Sequence, residues 1–173
     1  MVIVFTGNGK GKTTASLGQM VRAAGRGRST LMIQFIKGPW ESGEHLFNEE
    51  FNIPEHKFQV KRMGKGFVGI LGDKLPREEH EHAAREALAF FKAEIGKWSL
   101  MILDEVNVAV SLGLITAQEV LEAVKDYPEE KLLILSGRGA PQEFIDRADL
   151  ATEMREIKHP FNDGKLAKLG IEF

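Results

Sequence analysis

Short apolar runs alternate along this chain with longer stretches in which apolar residues return every three or four positions. Val2-Ile3-Val4-Phe5, Ser29 to Ile36, His56 to Met63, Trp98 to Glu105 with its acidic end, and Lys131 to Leu135 are short and mainly apolar or alternating, the pattern of strands. Ala148 to Ile157 reads as a late or edge strand. Helices are predicted from Ala15 through Val21, from Pro76 to about Ile95, and from a Thr116 cap to about Lys125. In the second of these, Ala83, Ala87, Phe90, Phe91 and Ile95 supply the apolar face. Strands alternating with helices build a parallel sheet covered by helices on both faces. No internal repeat, low-complexity tract or linker interrupts the pattern, so residues 1–173 are expected to form one domain.

Composition narrows the field by exclusion. A net charge of −2 offers no general attraction to nucleic acid or to an anionic membrane, so any anion site must be local. With no cysteine there is no disulfide, thiolate metal site or thiol nucleophile. The chain opens on an apolar strand without a basic leader, and no apolar run approaches the roughly 18 residues of a membrane helix. A cytoplasmic protein with neither nucleic-acid nor membrane partners is expected.

The candidate chemistry begins at Gly7-Asn8-Gly9-Lys10-Gly11-Lys12-Thr13-Thr14, between the first strand and the first helix. A glycine-rich turn at that junction lets backbone N–H groups and a helix N-terminus converge on phosphate. Lys12 adds a mobile cation and Thr13 a hydroxyl for Mg²⁺, as in G-x-x-x-x-G-K-[ST]. Thr6 stands where that motif begins with glycine, which leaves Gly7 and Gly9 to supply the freedom. Asp104-Glu105, ending the Trp98 strand, would bring carboxylates to the cation of such a loop. Arg138, in the turn after the Lys131 strand, is available for phosphate. Lys37, Trp40 and Glu44, after the second strand, are placed near the nucleotide because loops at strand C-ends face the crevice. The Gly64–Asp73 loop suits a lid or binding surface, although its composition slightly favours tucking Phe67 and Ile70 into the core. His80 and His82 lack the i, i+4 spacing of a ligand pair and are assigned to a solvated helix face.

These residues define a Mg·ATP site without choosing a reaction. The choice comes from a resemblance. Val4 to Thr14, Arg22-Ala23-Ala24-Gly25 and Gln34-Phe35-Ile36-Lys37-Gly38 resemble the ATP:corrinoid adenosyltransferases of the CobA/CobO/BtuR type. So do Leu103-Asp104-Glu105, Gly137-Arg138-Gly139-Ala140-Pro141, Ala148-Asp149-Leu150, Thr152-Glu153-Met154-Arg155, Lys158-His159-Pro160-Phe161 and Gly170-Ile171-Glu172-Phe173. The resemblance implies an α/β, P-loop NTPase-like (RecA-like) fold with a mostly parallel sheet. It also implies transfer of the 5′-deoxyadenosyl group of ATP to the Co(I) of a corrinoid, with release of triphosphate.

In that family ATP lies reversed, its 5′ carbon toward the corrinoid. The resemblance places Gly7, Asn8, Gly9, Lys10, Gly11, Lys12, Thr13, Thr14, Arg22 and Arg138 on the nucleotide. It gives Mg²⁺ (or Mn²⁺) to Thr13, Glu105 and Asp104, and catalytic roles to Lys12, Phe67 and Glu105. A reducing flavoprotein and a homodimer are implied as partners. Phe67 matches an aromatic that crowds the lower face of the corrinoid, but Gly69 stands where the family has tryptophan. Ile70 or Leu71 would then substitute by shape, or the protein would prefer base-off or incomplete corrinoids. Asn162, Leu166 and Lys168 replace the family's Asp, Lys and Gln, and the stretch that precedes the first strand in relatives has no counterpart. These departures fall on the corrinoid half of the implied site. Two other readings stay open, a conventional P-loop ATPase or phosphotransferase and a non-catalytic ATP or corrinoid binder.

Overall fold

The computed structural model describes residues 1–70, 72–164 and 166–171; Leu71, Glu172 and Phe173, invoked above, lie outside them. Six strands form one all-parallel sheet: β1 (Val2–Thr6), β2 (Thr30–Gln34), β3 (Phe58–Arg62), β4 (Leu100–Asp104), β5 (Leu132–Ser136) and β6 (Leu150–Glu153). Their order across the sheet is β3-β2-β4-β5-β1-β6. The strand expected within 148–157 is the edge strand β6, all four of whose residues are exposed.

The two faces of the sheet bury different side chains because successive residues of a strand point opposite ways. Ile3, Phe5, Met32, Ile102 and Ile134 pack beneath α1 (Lys12–Ala24), with α2 (Gly43–Glu50) contributing Phe47. Val2, Val4, Leu31, Ile33, Met101, Leu103, Leu133 and Leu135 face the remaining helices, α3 (Arg77–Glu94), α4 (Val106–Ser111), α5 (Ala117–Val124) and α6 (Gln142–Arg147). This covering on both sides is the α/β architecture expected for a P-loop NTPase-like domain. No helix among the described residues is long and apolar enough to cross a membrane.

Helix α5 starts as the sequence predicts. Thr116 Oγ1 accepts from the Glu119 N–H at 3.1 Å, and Glu119 Oε2 accepts from the Thr116 N–H at 2.7 Å. This reciprocal pair satisfies two donors that the helix end would leave open. Thr116→Ala is expected to cost about 1 kcal/mol, read as a lower denaturant midpoint at unchanged slope, with ATP affinity unaltered.

Two assignments are corrected. His80 is 3% exposed rather than solvated. It continues the buried stripe of Ala83, Ala84, Ala87, Leu88 and Phe91, and its ring is bonded to Asp73, so burial leaves no donor unpaired. His82 does face solvent. Conversely, Phe67 and Ile70 are not tucked into the core: they are 45% and 60% exposed, and Val68 packs inward between them.

Candidate functional site

Loop Gly7–Gly11 joins β1 to α1 at the carboxyl edge of the sheet. Gly7 has φ +93°, and a Cβ there would sit 2.4 Å from Met154 O, so position 7 admits no side chain. The Gly9 N–H donates to Met154 O at 2.7 Å, which ties the loop to the end of β6. Thr6 ends β1, and its Oγ1 accepts from the Ala140 N–H at 3.1 Å. Thr6 therefore holds the β5–α6 turn beside the loop, and the freedom demanded of a first motif glycine has moved to Gly7.

Lys12 is buried, and its Nζ donates to Gly7 O at 2.8 Å and Gly9 O at 2.7 Å. Burial lowers its pKa, while the Glu105 charge pulls the other way. One residue on, Thr13 Oγ1 donates to Asp104 Oδ1 at 3.0 Å. Asp104 is fully buried and also accepts from Ser136 Oγ at 2.6 Å. Burial nevertheless raises its pKa, outweighing those bonds.

Glu105 follows in the left-handed region, φ +61°, its N–H donating to Ser136 Oγ at 3.3 Å. Such a conformation in a non-glycine residue marks a position held by its surroundings. Burial, then the Asp104 charge, push its carboxyl up to about 7, with Lys12 and Arg138 opposing. Its Oε2 is buried and has no hydrogen-bond partner among the described residues.

The buried Asp104 carboxylate, the adjacent half-buried Glu105 carboxylate with its orphaned oxygen, and the Thr13 hydroxyl form an oxygen donor set of the kind a hard divalent cation takes. No group of three or more His, Cys, Asp or Glu side chains among the described residues could hold a metal by itself. A cation here would complete its shell from phosphate oxygens and water. The residues thus fit Mg²⁺ bound together with a nucleotide.

A polar network runs outward from this centre. Gln34 Nε2 reaches Asp104 Oδ2 at 3.5 Å and donates to Glu44 Oε1 at 3.2 Å, and Lys37 Nζ lies 2.6 Å from the same Glu44 oxygen. His45 Nε2 is 2.8 Å from Gln34 Oε1. Partial burial pushes the Glu44 carboxyl up, but hydrogen bonds from Lys37, its own backbone N–H and Ser42 outweigh it and hold the group down at about 2. Lys37 and Glu44 are thus gathered beside Gln34 and, through it, Asp104.

Trp40 goes elsewhere. Its ring lies 5.8 Å from that of Phe67, tilted by 38°. With Pro39, Ile70 and Leu75 these rings line an open concavity of about 220 Å³. Gly69 has φ +68°, a backbone conformation that side-chain-bearing residues rarely adopt, and nothing among the described residues lies within 4 Å of where a Cβ would stand.

Not every predicted residue meets the loop. Arg138 is exposed, close enough for its charge to act on Lys12 and Glu105. Arg22 is exposed in the last turn of α1, ten residues and roughly 15 Å along the helix from Lys12. Lys10 Nζ donates to Ile171 O at 2.6 Å, so the C-terminal segment crosses the loop. Gln34, His45 and Ser136 were not anticipated. A signal existed for two of them, since Gln34 and Ser136 are polar residues ending otherwise apolar strands.

Fold and crevice together define a P-loop-type nucleotide-binding protein, in which β5 separates the loop-bearing strand β1 from the acid-bearing strand β4. Residues 1–173 match the family described as ATP:corrinoid adenosyltransferase BtuR/CobO/CobP. The chain is 37% identical over 175 residues to the corrinoid adenosyltransferase of Escherichia coli K12, with all of this chain and 85% of that protein covered. It is 35% identical over 180 residues to the corrinoid adenosyltransferase CobA of Salmonella typhimurium, again covering all of this chain and 85% of the relative. Against the corrinoid adenosyltransferase of a Sinorhizobium species it is 36% identical over 176 residues, covering all of this chain and 80% of the relative. The chain belongs to the ATP:corrinoid adenosyltransferase family. Its reaction class is adenosyl transfer from ATP to a corrinoid, in cobalamin biosynthesis.

Proposed function

We propose that the Gly7–Thr14 loop grips the triphosphate of ATP as a leaving group, while the corrinoid approaches from the Trp40–Phe67 side. The Co(I) electron pair attacks the ribose 5′ carbon. A Co–C bond forms, the C5′–O bond breaks, and its electron pair departs on inorganic triphosphate, leaving the cobalt formally Co(III). The nucleophile carries no proton, so no general base is required. Lys12 and the loop N–H groups of Gly7 to Thr14 neutralise the charge gained by the leaving oxygen. Arg138 is a second phosphate contact, and Arg22 a contact for the nucleotide beyond the loop. Thr13, Asp104 and Glu105 would hold Mg²⁺, which when bound draws charge from the triphosphate oxygens. Phe67 gives the corrinoid an apolar face. The acceptor cobalt must first be reduced, so an electron donor is needed, for which we propose a flavoprotein; a homodimer belongs to the same reading.

What supports this reading is that the loop after β1 and the loop after β3 both leave the same, carboxyl edge of the parallel sheet. The Phe67 loop follows β3 and the phosphate loop follows β1, four strand spacings away, roughly 19 Å. The contacts from Thr13 through Asp104, Gln34 and Glu44 to Lys37 run from the phosphate loop as far as the loop after β2, the neighbour of β3. With Mg·ATP and chemically reduced cobalamin, adenosylcobalamin and triphosphate are expected in equal amounts. Orthophosphate or ADP in their place would mean conventional phosphoryl chemistry and would end this reading.

A further inference from the structure

The segment between β3 and α3 carries Phe67 and Ile70 and is tied down at two places. Its first part hangs from the end of β2: the Met63 and Gly64 N–H groups donate to Gln34 O at 3.0 and 3.1 Å, and the Gly66 N–H to Ile36 O at 2.9 Å. Its second part is gathered by Asp73. The Asp73 Oδ2 accepts from the Gly69 N–H at 2.8 Å and from His80 Nε2 at 3.0 Å, while Oδ1 accepts from the Leu75 N–H at 3.0 Å. An ionised carboxylate only accepts, so the Nε2 of His80 carries the proton it shares. The backbone bonds from Gly69 and Leu75, and then His80, keep the Asp73 carboxyl below the ordinary range.

His80 is an unusual choice for this helix position. It is buried in a stripe otherwise made of Ala, Leu and Phe, where an apolar residue would pack without needing a partner. Its ring is accounted for by the bond to Asp73, and the backbone group next along that bond is the N–H of Gly69, between Phe67 and Ile70.

We propose that Asp73 and His80 form a latch that seats the Phe67–Ile70 turn against Trp40, and so sets acceptor affinity independently of nucleotide affinity. Both are positioning residues, acting through the turn rather than on the reacting atoms. The effect on acceptor affinity rests on the concavity being the corrinoid face; the seating of the turn does not.

Trp40 reports the seating directly, because the chain has two tryptophans and the other, Trp98, is buried. In the full-length protein without substrates, His80→Leu is expected to raise acrylamide quenching of the exposed tryptophan. His80→Gln, which keeps an N–H donor, is expected to restore wild-type quenching. With reduced cobalamin, His80→Leu is expected to raise the acceptor KM about tenfold, the loss of one bond to a charged group, with the KM for ATP unchanged. Asp73→Ala should reproduce both effects without replacing any residue of α3, which keeps the test available if His80→Leu does not fold. Combining the two changes should add nothing further. Wild-type quenching in both single variants overturns the latch. Altered quenching with an unchanged acceptor KM keeps the latch and overturns the reading of the concavity as the corrinoid face.

Discussion

Lys12→Ala is expected to lower kcat for adenosyl transfer by a factor on the order of 10³, with the fold and the acceptor KM preserved. Lys12 Nζ is buried against the carbonyls of Gly7 and Gly9, so its charge is already placed and largely dehydrated. Breaking the C5′–O bond delivers negative charge to the triphosphate, and a preorganised cation there gains more in the transition state than in the ground state. Lys12→Arg is expected not to rescue, since a planar five-donor guanidinium does not fit a socket of two carbonyls 2.7–2.8 Å from one nitrogen. The measurement is turnover with cobalt reduced in advance, which separates this step from electron supply. A loss below about tenfold, or 1.4 kcal/mol, would mean that leaving-group charge is carried elsewhere.

Glu105→Gln is expected to weaken Mg²⁺ activation by at least the roughly 10–100-fold that follows from losing an outer-shell partner. It should also remove a pH dependence. The Glu105 carboxyl, pushed up to about 7, must give up its proton before a cation can take its place. At limiting Mg²⁺ the wild-type rate should therefore rise with pH through about 7 and level off above it. Saturating Mg²⁺ moves this rise to lower pH, and the variant lacks it. Stability without metal runs the opposite way. The folded value exceeds the ordinary 4.5, so this group's contribution is complete below pH 4.5 and is lost as pH climbs through about 7. Between pH 5 and 8 the wild-type melting temperature should fall by more than that of Glu105→Gln. Taking the difference cancels the groups that do not interact with Glu105 and leaves the acidic pair it forms with Asp104. Equal slopes would show that Glu105 does not titrate there.

Much of the frame was readable because its causes are local. Runs such as Leu100 to Leu103 are apolar on both faces and suit only a strand covered on both sides. Thr116 and Glu119 state the start of α5 in four residues. The short helix α4 carries no such mark. It begins from the left-handed Glu105, a conformation imposed by the packed ends of β4 and β5, and was not anticipated.

The identities at the centre of the site, Lys12, Thr13, Asp104 and Glu105, follow from spacing along the chain, since a strand–turn–helix junction and a strand end each place their chemistry within a few residues. The partners of those residues do not. Gln34, Ser136 and Asp104 are joined across β2, β4 and β5, whose order is not written in any one segment. Trp40 and Phe67 come from different loops, and Asp73 and His80 meet only because a turn folds back on α3. Composition argued for a tucked Phe67 and the absence of i, i+4 ligand spacing for a solvated His80, and in both cases the packing decided otherwise.

What the amino-acid order alone determined is the alternation of strands and helices, the phosphate-loop chemistry, the acidic strand end and, through motifs spread over nearly the whole chain, the family. Each depends on residues near one another or on a pattern that survives without coordinates. Only the tertiary structure decided which polar groups share a proton or an empty valence, and which apolar rings are left facing solvent. Those outcomes depend on burial and on contacts between distant segments, which exist only once the sheet has set its strand order.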